Sequence, residues 1–171
     1  MAKDRRVEIL QILKEAKAPV NAVTLAKEFD VSRQVIVGDI ALLRAAGNDI
    51  VATPRGYIMP KADDSSLVRT IACVHTMENL QTEIYTIIDN GAKMLDVIVE
   101  HPIYGQITGQ LNIFSRVDAD EFINSVRQNR AMLLSHLTGG VHLHTIRCEN
   151  EEIYQRVLAG LKSKGILLDE D

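Results

Sequence analysis

The chain of 171 residues carries 46% hydrophobic side chains and a formal net charge of -4, enough apolar material for one large or two small cores and too little bias for a disordered or low-complexity chain. The opening Met1-Ala2-Lys3-Asp4-Arg5-Arg6 is charged and runs into a periodic helix instead of an apolar leader, and no apolar run approaches the roughly 18 residues of a membrane span; a cytoplasmic protein without membrane contact is expected. Residues 1–60 hold nine Lys/Arg against seven Asp/Glu, while residues 61–171 hold ten against sixteen, so the basic part that permits contact with nucleic acid lies at the front.

Over residues 5–16 the apolar positions Val7, Ile9, Leu10, Ile12, Leu13 and Ala16 recur at helical spacing, and Ala18-Pro19 stops the helix. Asn21 is a good N-cap for a short second helix with Val23, Leu25, Ala26 and Phe29 inward. Asp30-Val31 turns the chain. Ser32 then caps a third helix over 33–46, with Ile36, Ile40 and Leu43 inward and Gly47 as a left-handed C-cap. Two short β runs, 50–53 and 57–59, are joined by Pro54-Arg55-Gly56, a hairpin signal.

Three helices and a hairpin in this order predict a winged helix-turn-helix over 1–60. The stretch Leu25-Ala26-Lys27-Glu28-Phe29-Asp30-Val31-Ser32-Arg33-Gln34 resembles the helix-turn-helix of bacterial repressors, with Ala26 where two helices touch and Val31 as the plug of the turn. Such a motif sets the first turn of the third helix into the major groove, so Ser32, Arg33 and Gln34 would reach phosphates or base edges. Val37 would meet a thymine methyl. Arg55 at the hairpin tip would touch the backbone or minor groove, and Lys27, with Arg5 or Arg6, would neutralise phosphates. Gly38 departs from the pattern, because a mid-helix glycine costs about 1 kcal/mol relative to alanine.

Residues 61–66 are polar and follow Pro60, which reads as a linker to a second domain over 67–171. There the pattern predicts strands at 67–75, 93–100, 104–114 and 141–148. Helices are expected at 77–89, capped by Thr76, at 118–130, capped by Asp118, and at 151–163, capped by Asn150. Gly165 leads into a last apolar run, Ile166-Leu167-Leu168. The order β-α-β-β-α-β with an extra α-β predicts an α+β fold, a ferredoxin-like split βαβ sheet with helices on one face. Cys73 and Cys148 lie inside apolar strand runs and read as buried free thiols.

In the run Thr138-Gly139-Gly140-Val141-His142-Leu143-His144-Thr145, strand alternation points His142 and His144 to the same face. In the expected topology the fourth strand lies antiparallel to the first, so His75, at the end of the first, meets them at one sheet edge. Glu83 falls at the margin of the apolar stripe Leu80, Ile84, Ile87 and Ile88 of the following helix, where a half-buried carboxylate needs a cationic partner. Three imidazoles and one carboxylate make an N3O set suited to Zn, Ni, Fe or Mn and unsuited to Ca or Mg. The turn His101-Pro102-Ile103-Tyr104-Gly105 and the hinge Gly139-Gly140 supply His101, Tyr104, Gly139 and Gly140 as the expected rim of a ligand pocket.

Val31-Ser32-Arg33-Gln34 and Thr53-Pro54-Arg55-Gly56-Tyr57, together with Val74-His75-Thr76, His101-Pro102-Ile103-Tyr104-Gly105 and Gly139-Gly140-Val141-His142-Leu143-His144, resemble the niacin-responsive transcriptional repressors. These join a winged helix to a three-histidine domain, and the similarity covers nearly the whole chain. The resemblance implies a repressor of genes for NAD precursor synthesis or niacin uptake, with nicotinic acid as corepressor and His75, Glu83, His142 and His144 as ligands to one divalent transition metal. Palindromic operators place two heads about 34 to 36 Å apart, so a homodimer is expected. Two other readings of the same residues remain open at this point: a repressor that senses the metal itself, and a small metallohydrolase with Glu83 as general base.

Overall fold

The computed structural model describes residues 1–61, 66–129 and 132–169. Residues 62–65, the greater part of the expected linker, lie outside the described residues. The chain divides into two compact units, Met1–Ala62 and Asp63–Asp171.

The first unit holds α1 (Ala2–Glu15), α2 (Ala22–Glu28), α3 (Arg33–Ala45) and a hairpin of β1 (Val51–Thr53) and β2 (Gly56–Ile58). α1 starts three residues earlier than the apolar periodicity suggests, because its first turn is polar. The side chain of Asn21 accepts from Val23 N–H and that of Ser32 from Val35 N–H, so each cap satisfies one donor that its helix leaves unpaired. Ile9, Leu13, Leu25, Ile36, Ile40, Leu43 and Ile50 form the core. The turn between α2 and α3 places Asp30 at φ 50°, and Val31 N–H donates to Ala26 O. Val20 forms a single antiparallel bridge with Tyr57 beside the hairpin. That pairing requires glycine at 56, where φ is +135° and a Cβ would sit 2.3 Å from Val20 O.

The second unit contains β3 (Leu67–Val74), a 3-10 turn (Met77–Asn79), α4 (Leu80–Asp89), β4 (Lys93–His101) and β5 (Gly105–Ile113). α5 (Arg116–Gln128), a second 3-10 segment (Leu134–Thr138), β6 (Val141–Cys148) and α6 (Glu151–Ser163) complete it. The sheet order is β3-β6-β4-β5 and every pair is antiparallel. β3 and β4 are therefore parallel to each other, joined by α4 and split by β6. The unit is a mixed α+β domain, as the element order predicts, and β6 lies beside β3 as expected. β6 and β4 occupy the middle of the sheet and β3 an edge, an order that element sequence alone does not choose. Ile71, Ile84, Ile87, Met94, Ile113, Ile123, Ile146, Val157 and Leu161 fill the space between the sheet and the three helices.

Three local expectations change. Thr76 makes no side-chain cap, and residues 77–79 form a 3-10 turn before α4 begins at Leu80. Ser115, not Asp118, caps α5: its hydroxyl accepts from Asp118 N–H, while the buried Asp118 carboxylate accepts from Phe114 N–H. This is the reciprocal logic of a capping box, with the acid three residues after the hydroxyl. The helix ends at Gln128, and residue 130, its expected end, lies outside the described residues. Finally, residues 166–168 do not extend into a strand. Leu167 forms a single bridge with Cys73, and two main-chain hydrogen bonds, Val74 N–H to Ile166 O and Leu168 N–H to Ala72 O, cover the outer edge of β3.

Candidate functional site

The β3–β6 register sets Cys73 opposite His142 and Ile71 opposite His144. His142 and His144 share the face of β6 that also carries Ile146 and Cys148, so their rings project toward α4 and not toward solvent. On α4, Glu83 lies between Leu80 and Ile84 on the buried face and is 1% exposed. His75 follows directly after β3. All four side chains named from the sequence meet at one point: the Glu83 carboxylate lies 2.7 Å from His75 Nε2, 2.8 Å from His142 Nε2 and 2.9 Å from His144 Nε2. The His142 ring stands nearly perpendicular to each of the other two, with centroids 4.8 Å away.

The opposite nitrogen of each ring is also fixed. His75 Nδ1 lies 2.6 Å from Thr76 O, His142 Nδ1 2.8 Å from Gly140 O and His144 Nδ1 2.6 Å from Asp96 O. A carbonyl only accepts, so each Nδ1 carries the proton. In the neutral imidazole each Nε2 then presents a lone pair, and three lone pairs converge on a carboxylate among side chains that are all buried. Such a set is satisfied only by positive charge, delivered as protons or as a cation. Burial alone would raise the Glu83 carboxyl, yet His144, His142 and His75 hold it well below the usual carboxylate range. Burial opposes charge on His75 and His144, and Glu83 overrides it, so both imidazoles are raised above their ordinary value.

Cys73 belongs to the same neighbourhood: its sulfur and ligand atoms of Glu83 and His142 all lie within 4.8 Å of one another. It is a buried free thiol, as is Cys148. Burial first, then the Glu83 carboxylate, pushes the Cys73 thiol up, so without a metal it stays a neutral thiol. The three imidazoles are the donors whose Nε2 atoms all lie against the Glu83 carboxylate.

Two hollows adjoin the cluster and share His75, Leu133 and Ser135 as lining. One, of about 320 Å³ including its mouth, is walled by Leu80, Val97, Leu111 and Phe122 and reaches Glu83, His142 and His144. The other, about 400 Å³, is lined by Thr76, Met77, His136, Gly139 and Gly140. Gly139 and Gly140 thus stand where a ligand rim was expected. His101 and Tyr104 line neither hollow. They build the β4–β5 turn, where His101 Nδ1 accepts from Ile103 N–H at 3.2 Å and Tyr104 N–H at 3.3 Å, and Tyr104 is 76% exposed. Leu133 and Ser135 had no sequence signal, since they fall in a short segment without periodicity.

In the first unit Ser32, Arg33 and Gln34 are exposed at the start of α3, Lys27 is exposed in the last turn of α2, Val37 is half-buried on α3, and Arg55 lies in the β1–β2 turn. Arg5 and Arg6, expected as phosphate contacts, are half-buried beside an acid. Arg5 Nε lies 2.6 Å and Arg6 Nη1 3.5 Å from the carboxylate of Asp39, which is buried on α3, so both arginines tie α1 to α3.

Residues 5–58 match the model of an HTH domain and residues 68–170 that of the 3H domain. The chain belongs to the 3H-domain transcription repressors. It is 43% identical over 98% of its length to the probable transcription repressor NiaR of Thermotoga maritima, of which it covers 95%. It is 39% identical over 99% of its length to the transcription repressor NadR of Bacillus subtilis, of which it covers 96%. A DNA-binding repressor is not an enzyme, and the hydrolase reading falls away: Glu83 is engaged by three imidazoles and is no free general base. Among the described residues no helix of the repressor is long and apolar enough to cross a membrane.

Proposed function

We propose that the repressor controls genes of NAD precursor synthesis or niacin uptake, acting as a cytoplasmic homodimer on a palindromic operator, with nicotinic acid as corepressor. His75, Glu83, His142 and His144 hold one divalent transition metal, Zn, Ni, Fe or Mn. One observation carries this reading: three Nδ1–H groups are spent on backbone carbonyls, which leaves three Nε2 lone pairs and a carboxylate aimed at one buried point. Ring nitrogens fixed through a carbonyl on the far side are how proteins orient histidine ligands. The bound metal would supply a Lewis-acidic position for a ligand's carboxylate or ring nitrogen. Ser32, Arg33, Gln34, Val37, Arg55 and Lys27 form the operator-facing set, with phosphate contacts fixing register and base-edge contacts supplying selectivity. Residues 1–60, 61–66 and 67–171 act as head, linker and regulatory domain.

The test is operator binding under four conditions: metal-loaded or chelated protein, each with or without nicotinic acid. Tight binding only with both metal and nicotinic acid is the expected outcome. Full binding with metal alone would identify a metal sensor, and identical binding in all four conditions would refute the corepressor.

A further inference from the structure

Ser135 sits in the 3-10 segment Leu134–Thr138, is 7% exposed and borders both hollows beside the histidine cluster. Its main-chain carbonyl is occupied, accepting from Gly140 N–H at 2.8 Å and from the Thr138 hydroxyl at 3.1 Å. Its own hydroxyl has no hydrogen-bond partner among the described residues. Among the described residues Arg147 Nε is the fully buried side-chain polar atom that lacks a partner, so the Ser135 hydroxyl is reached from the two hollows it borders, where a guest that displaces water can meet it.

The surroundings narrow what that is. On one side Leu80, Val97, Leu111 and Phe122 form apolar walls leading to the imidazoles, and on the other Thr76 and His136 add polar groups beside Met77, Leu133 and the two glycines. An apolar ring would lie against the apolar side, with a polar substituent reaching toward Ser135. We infer that Ser135 is the effector-recognition residue, donating its hydroxyl hydrogen to the carboxylate of a small aromatic acid whose ring lies between the apolar walls and the histidine cluster. This rests on the corepressor reading and assigns it a specific contact. Recognition by one placed hydroxyl gives selectivity against the analogue that lacks the carboxylate, since the hydroxyl is then left unmet.

The experiment compares full-length metal-loaded wild type with Ser135→Ala by calorimetric titration, using nicotinic acid, benzoic acid and pyridine as probes. The hydroxyl makes no internal bond, so Ser135→Ala should keep its metal content and melting temperature. Nicotinic acid should bind the variant about ten-fold more weakly than wild type, with pyridine equally weak in both. Equal binding of nicotinic acid to the two proteins would overturn the assignment and leave the corepressor intact. Should wild type ignore nicotinic acid yet bind benzoic acid through Ser135, the corepressor is wrong and the contact stands. Binding of none of the three overturns both.

Discussion

Glu83 and its three imidazoles constitute a charge problem that pH exposes. Glu83 is lowered from its ordinary value of 4.5, so the stability it contributes is present above pH 4.5 and is lost as acid reaches its folded value. His75 and His144 are raised from 6.5, so their contribution is complete below pH 6.5 and is lost as pH rises through their higher folded values. Chelated protein should therefore be most stable between those limits and lose stability on the alkaline side. Metal should remove that alkaline loss, because it replaces the protons; thermal melts of chelated and loaded protein from pH 5 to 8 measure it. Glu83→Gln takes away the only anion of the set, and competition against a chromophoric chelator should show metal affinity reduced on the order of 100-fold. The pair His142 and His144 was readable because strand periodicity is strict. Cys73 and Ser135 were not, since a cysteine in an apolar run and a serine in an aperiodic one carry no directional information before the register and the 3-10 segment are known.

Among the elements, α3 holds a glycine that nothing inside the molecule demands. An added Cβ at Gly38 meets no atom within 4 Å, so Gly38→Ala should raise stability by about 0.5–1 kcal/mol in urea denaturation. Gly56 is the opposite case: alanine there would collide with Val20 and strain a positive φ, and a loss greater than about 1 kcal/mol is expected. Caps at Asn21, Ser32 and Asn150 were legible because a short polar side chain precedes each apolar stripe. The start of α5 is not legible from Asp118 alone. Ser115-Arg116-Val117-Asp118 holds both partners of the cap, and the hydroxyl comes first.

For the whole molecule, the element order sufficed for the winged helix and for an α+β second unit with β6 against β3. Which strands take the centre of the sheet is decided by long-range packing of α4, α5 and α6, and pattern alone does not encode it. A net charge of -4 conceals the basic head, and operator affinity should fall steeply with salt. Lys27→Ala, which frees one phosphate per head, should flatten the slope of log affinity against log salt by about 0.9 for each phosphate no longer neutralised, with sequence preference unchanged. Filter binding across a salt series reads both.

Gly140 offers its carbonyl to His75 N–H at 3.4 Å and to His142 Nδ1 at 2.8 Å, while its own N–H is held by Ser135 O, and a Cβ there would stand 2.6 Å from His75 O. One peptide unit is thus shared by the wall of the cleft and by two of the four side chains of the cluster. On the proposed reading, a guest that shifts this wall shifts the donors too, and thermodynamic reciprocity would then oblige the ion to alter the guest's affinity by the same factor.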